Sequence, residues 1–186
     1  MSDFKPYDDI SMEHAAAIGR VVITWADFEL SIDLSIWELM GVDQQIGACV
    51  TSQFSSMFHR MNALISLCDE VGVTDELCKQ LSKLAGSLSG LSEYRNRVVH
   101  DARFAGTISK RISRFQSTAK KKLVLSMQDE TVESLLAGAK DIYDKRSEYT
   151  EIWRAVSNQL IELRSQPKQR EQKLHWNEPR KAMPKT

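Results

Sequence analysis

From Ser11 to about Met40, apolar residues recur at helical spacing: Ile18, Val22, Trp25, Ile32, Ile36 and Leu39 form one seam, and Val21, Phe28 and Leu34 widen it. Glu29 breaks this seam where the next apolar residue belongs. Gly41 ends the helix and Asp43 suits the N-cap of a second. That second helix runs through Ile46, Val50, Phe54, Met57, Met61, Leu64 and Cys68 to about Val71, with Gly47 loosening its first turn and Gly72 closing it. A third begins near Thr74-Asp75-Glu76, where acidic side chains complement the helix dipole. Its seam is Leu77, Leu81, Leu84, Leu88, Leu91, then Arg95, then Val98, so a guanidinium occupies an inward-facing position.

The pattern changes over residues 107–128. Leu123, Leu125 and Met127 alternate with Lys122, Val124 and Ser126, which is the period of a strand. Ile108, Ile112 and Phe115 suggest the partner strand of a β-hairpin, with Ser117-Thr118-Ala119-Lys120 as the turn. The last helix spans about Glu130 to Arg164 on a seam of Val132, Leu135, Ala139, Ile142, Arg146, Tyr149, Trp153, Val156, Leu160 and Leu163. The expected fold is mainly α: an antiparallel four-helix bundle with a β-hairpin inserted before the last long helix. It occupies residues 1–165. Residues 166–186 are basic, contain three of the four prolines, and have the composition of a disordered tail. The first helix is apolar around more of its circumference than one bundle face requires. Two readings fit that surplus: a broad core face, or a homodimer contact.

Composition narrows the classes of function. Hydrophobic content of 42% in 186 residues is ordinary for a globular domain. No apolar run approaches the roughly 20 residues of a membrane helix, and no signal-peptide order opens the chain. Cys49, Cys68 and Cys78 form no C-x-x-C pair and stand near no histidine at ligand spacing, which fits a cytoplasmic protein with reduced thiols and no metal or other cofactor. Net charge is zero, yet residues 1–100 carry 7 basic and 14 acidic side chains, whereas residues 101–122 carry 7 basic and only Asp101. Arg103, Lys110, Arg111, Arg114, Lys120, Lys121 and Lys122, with Arg97 just upstream, form a basic block suited to attracting a polyanion such as RNA, or simply to solvating a turn.

The candidate chemistry lies in Arg95-Asn96-Arg97-Val98-Val99-His100. A guanidinium presents a fork of donors matched to phosphate, an imidazole exchanges protons near neutral pH, and an Asn amide can orient either. RNA carries its own nucleophile, the 2′-OH beside each phosphate, so gripping that phosphate and moving a proton suffices for cleavage without metal. Asn96 and His100 share a helical face, but Arg95 and His100 are roughly 140° apart at about 100° per residue. Convergence on one ligand therefore needs a frayed helix end or two copies of the motif meeting across a dimer axis. An acidic partner is also required for an inward Arg95, and Glu29 is the matching gap in the first helix.

Arg95-Asn96-x-x-x-His100, late in a helix of a small bundle, resembles the signature of the HEPN superfamily. The resemblance implies a metal-independent endoribonuclease of toxin or defence-effector type acting as a homodimer, with paired motifs lining a cleft. His100 would be the proton-transfer catalyst, Arg95 the phosphate ligand, Asn96 a supporting polar group, and an antitoxin a possible partner. The family also includes non-catalytic modules that bind nucleotides or proteins. Some members place a Tyr, modified by their antitoxin, two residues after the His; Ala102 stands there in this chain. A helical dimer with a coincidental motif is the third reading. Elsewhere, His14 and His59 read as surface or satisfied core groups, and Trp25, Trp37 and Trp153 follow core periodicity.

Overall fold

The computed structural model describes residues 10–105, 112–118 and 124–165. The described part is mainly helical, with a small antiparallel sheet: α1 (Met12–Met40), α2 (Gln44–Thr51), α3 (Met57–Glu70), α4 (Asp75–Ser87), α5 (Ser89–His100), β1 (Arg103–Ala105), β2 (Ile112–Thr118), β3 (Val124–Glu130) and α6 (Val132–Ser165). The helix starts obey local chemistry. Ser11, Asp43 and Ser56 each accept, through a side-chain oxygen, a backbone N–H in the first turn that the helix itself cannot satisfy. Gly41 closes α1 in the left-handed region at φ 64°.

Helix α1 is the element against which the others assemble, packing on α6, α3, α2 and α5. Its buried stripe is Ala17, Val21, Trp25, Phe28, Ile32 and Ile36, which keeps Trp25, Ile32 and Ile36 of the expected seam and centres on the side of Val21 and Phe28. Ile18 and Val22 fall to its margin and Leu34 points outward. Met61, Leu64 and Cys68 of α3, Leu81 and Leu84 of α4, Val98 of α5, and Leu135, Ile142, Tyr149, Val156 and Leu160 of α6 complete the core. The Tyr149 hydroxyl donates to Ser35 Oγ at 2.6 Å and Ser35 donates to the Ser31 carbonyl at 3.0 Å, so the polar atoms of this buried pair are satisfied.

Two expected helices are each divided. The second breaks over residues 52–56 into α2 and α3, because Ser56 caps a fresh start and its hydroxyl, with that of Ser55, also meets His59 Nδ1 at 2.9 and 3.1 Å. The third divides at Leu88, which keeps helical backbone (φ −84°, ψ −14°) and is itself buried. The hairpin is present as β2–β3, but Ser117 and Thr118 belong to β2 rather than to a turn, and β1 adds a third strand on β2. The strand alternation holds, and it sets one row toward the helices and the other toward solvent. Ile112 and Glu130 face the helices and are buried, whereas Phe104, Phe115, Leu125 and Met127 lie on the opposite face and are exposed. The expected disordered tail, 166–186, lies outside the described residues. No helix among the described residues is long and apolar enough to cross a membrane.

Gly47 is fixed by packing. A Cβ built there would lie 2.4 Å from Cγ of Trp37, whose ring is buried and donates Nε1–H to Thr51 Oγ1 at 3.2 Å. Gly47→Ala should lower stability by about 1–3 kcal/mol through overpacking. Gly86→Ala, at a helical site with nothing within 4 Å of the added carbon, should raise it by about 0.5–1 kcal/mol. Urea unfolding of both variants checks the opposite signs.

Candidate functional site

Helix α5 stays regular through His100, its last residue; the Asp101 N–H closes it on the Arg97 carbonyl at 3.0 Å before the chain extends into β1. Arg95 and His100 therefore keep the angular separation of a regular helix. Val98 is fully buried and orients the segment, leaving Asn96 and His100 exposed on the same side, one turn apart. Both line a groove of about 640 Å³ between α5 and the start of α3, with Arg97, Glu93, Asp101, Ser56 and Phe58 among its walls. His100 also borders a second groove of about 600 Å³, shared with Met12, Ala15 and Ile18 of α1.

Arg95 is half-buried and lines neither groove. Its Nη1 donates to Asn96 Oδ1 at 3.0 Å, while its Nε is buried without a hydrogen-bond partner. The guanidinium is thus tied to Asn96, which faces the groove. The expected pairing with Glu29 is not formed. Glu29 sits at the edge of the α1 core stripe, because Phe28 takes the inward position, and it meets Arg60 of α3 at 3.7 Å. Arg60 also donates to Asp33 Oδ1 at 2.9 Å and to the Phe54 carbonyl at 3.1 Å, which holds the α2–α3 break against α1. Sequence periodicity did not single out Arg60, since neither neighbour within its helix marks it as paired.

The basic block divides. Arg103 and Arg114 are not free phosphate ligands: they surround the buried carboxylate of Glu130. Arg103 donates to it at 2.6 and 3.2 Å, Arg114 approaches at 3.5 Å, and the imidazole of the buried His14 lies 2.9 Å from Oε1. Arg114 also stands 3.6 Å from Asp101. Arg97 is held by Glu93 at 2.8 Å and by Asp101 at 3.9 Å, and the Gln116 amide oxygen, turned to satisfy both groups, accepts from it at 2.9 and 3.2 Å. Lys110, Arg111, Lys120, Lys121 and Lys122 lie outside the described residues. His14 is a satisfied core group, as its lack of ligand-spaced neighbours suggested, and its partner lies 116 positions along the chain.

No family model, curated protein or solved structure matches this chain.

Among the described residues, no cluster of three or more His, Cys, Asp and Glu side chains could hold a metal ion. What the site offers is an exposed imidazole, a neighbouring amide and a guanidinium behind that amide. This set can bind an anionic oxygen and transfer a proton.

Burial alone would raise the Glu130 pKa, but the hydrogen bonds from Arg103 and His14 and the nearby Arg114 outweigh it and hold the carboxyl below its ordinary value. Stability from this group is therefore present above the ordinary glutamate range and lost as pH falls through the lower folded value. Glu130→Gln should cost about 3–5 kcal/mol near neutrality by leaving buried cations uncompensated. It should also flatten the acid limb of the stability–pH profile, as read by thermal unfolding across pH.

Proposed function

We propose that this chain is a HEPN-like, metal-independent endoribonuclease whose α5 groove receives an RNA phosphodiester. The four helical columns, α1, α2–α3, α4–α5 and α6, would correspond to the superfamily's bundle. The observation that carries the reading is the Arg95–Asn96 hydrogen bond. It ties the guanidinium to the amide that lines the groove beside His100.

In the proposed reaction His100 accepts the 2′-OH proton, the 2′-oxygen bonds to phosphorus, and the P–O5′ bond breaks. The departing 5′-oxygen takes up a proton from the imidazolium or from water. The products are a 2′,3′-cyclic phosphate and a 5′-hydroxyl end, and Arg95 with Asn96 offsets the charge that gathers on the phosphoryl oxygens.

One observation favours a non-catalytic nucleotide- or protein-binding module instead. Glu93 and Asp101 also line the groove, with Arg97 between them, and they make it less cationic than a dedicated phosphate cleft.

Incubation of the pure protein with single-stranded RNA in EDTA separates the two. Cleavage should leave cyclic-phosphate ends, stop on a 2′-deoxy substrate, and fall by about 10²–10⁴-fold in His100→Ala. Arg95→Ala should fall comparably, because the phosphate loses its charged ligand. Intact RNA with saturable nucleotide binding would support the module, and cleavage unchanged in His100→Ala would remove the proposal.

A further inference from the structure

The α5 groove is larger than one phosphate needs. Ser89, Ser92, Asn96 and His100 line it from the first residue of α5 to the last, which at about 1.5 Å of rise per residue makes roughly 16 Å of groove. A phosphate beside His100 fills a fraction of that length and of the volume of about 640 Å³. The remainder is lined by the buried Met57 and Leu88, and its α3 wall carries one aromatic ring, Phe58, which is 64% exposed.

Charge decides what can occupy that remainder. Glu93 and Asp101 stand on the same walls and repel a second phosphate. A nucleobase is flat and uncharged, and its amino groups can donate hydrogen bonds to carboxylates. An apolar lining, an open aromatic ring and acidic acceptors together describe a site for a base, with the phosphate of the same strand left to Asn96 and His100.

We propose that Phe58 is the stacking platform for one unpaired base of an RNA strand whose phosphate lies at Asn96 and His100. The ligand of this groove is therefore single-stranded RNA and not a duplex, because a base must leave its own stack before an aromatic side chain can cover its face. The inference rests on the reading of the α5 groove as a nucleotide site, catalytic or not.

The ring is carried by a fixed element. Ser56 Oγ caps α3 by accepting the His59 N–H at 3.3 Å, and Arg60 is anchored to Asp33 Oδ1 and to the Phe54 carbonyl at 2.9 and 3.1 Å. The His59 imidazole packs against Phe58 at an interplanar angle of 68°, with ring centroids 5.8 Å apart. A ring held in this way loses little freedom when a base stacks on it, so more of the contact appears as affinity.

Fluorescence anisotropy with a labelled single strand of roughly six 2′-fluoro ribonucleotides, which lacks the nucleophile, tests binding apart from cleavage. The wild type should bind it saturably. Phe58→Ala should weaken binding roughly ten- to a hundredfold. Phe58→Leu should weaken it about as much, since an aliphatic side chain restores apolar area without a flat face, and Phe58→Trp should stay within about threefold of wild type. All three variants should melt within about 3 °C of wild type, because the side chain is exposed. An abasic strand with the same backbone should bind weakly, and equally to wild type and Phe58→Ala. The annealed duplex should bind less tightly than the single strand. Failure of the wild type to bind, or wild-type affinity in Phe58→Ala or Phe58→Leu, overturns the proposal. Binding that depends on Phe58, without any cleavage in EDTA, removes the nuclease reading and supports this one. Cleavage that depends on His100 and is indifferent to Phe58→Ala keeps the nuclease and overturns the platform.

Discussion

A carboxylate out of water needs compensating charge and hydrogen bonds, and Glu130 finds them on three separate elements: the guanidinium groups of Arg103 on β1 and Arg114 on β2, and the imidazole of His14 at the start of α1. Glu130 ends β3, one residue before α6 begins, so this one ionic cluster ties the sheet to both long helices. Leaving any of these groups buried and unpaired costs far more than the net value of pairing them. The cluster therefore acts less as a source of stability than as a specification of which side of the sheet meets the helices.

That specification has consequences in both directions. Strand side chains alternate, so turning Glu130, Ile112 and Arg114 inward turns Phe104, Phe115, Leu125 and Met127 outward. The same constraint fixes the chain between α5 and β1. Asp101 meets Arg97 and Arg114, Arg103 meets Glu130, and His100 is held at the junction of two grooves. The exposed imidazole of α5 owes its position to buried charges on neighbouring segments.

The α5 groove and the outer side of α1 are separate surfaces of this frame. The α5 groove faces the start of α3, where Ser56 and Phe58 form the opposite wall. The side of α1 opposite the stripe that packs on α6, α3 and α5 leaves Met12, Ile23, Leu30 and Leu34 exposed.

Much of this was legible along the chain. Period 3.6 marked α1, α4–α5 and α6, period 2 marked β3, the motif marked α5, and the surplus apolarity of the first helix was visible before its geometry was known. These features are local: they depend on residues within one or two turns, and backbone geometry fixes which of them share a face. The breaks at residues 52–56 and at Leu88 were not legible, because capping and packing compete there with an uninterrupted apolar pattern. Charge partners were not legible either. Glu29 and Arg95 looked like a match, yet Arg60 reached Glu29 first, and Arg95 turned to the adjacent Asn96. Arg103 and Arg114 read as a basic patch until Glu130 claimed them. The sequence by itself determined the helices, their apolar faces and the motif. Only the tertiary structure decided which charges pair, since electrostatic partners are chosen by proximity in space and by burial, and neither is written in the spacing of residues.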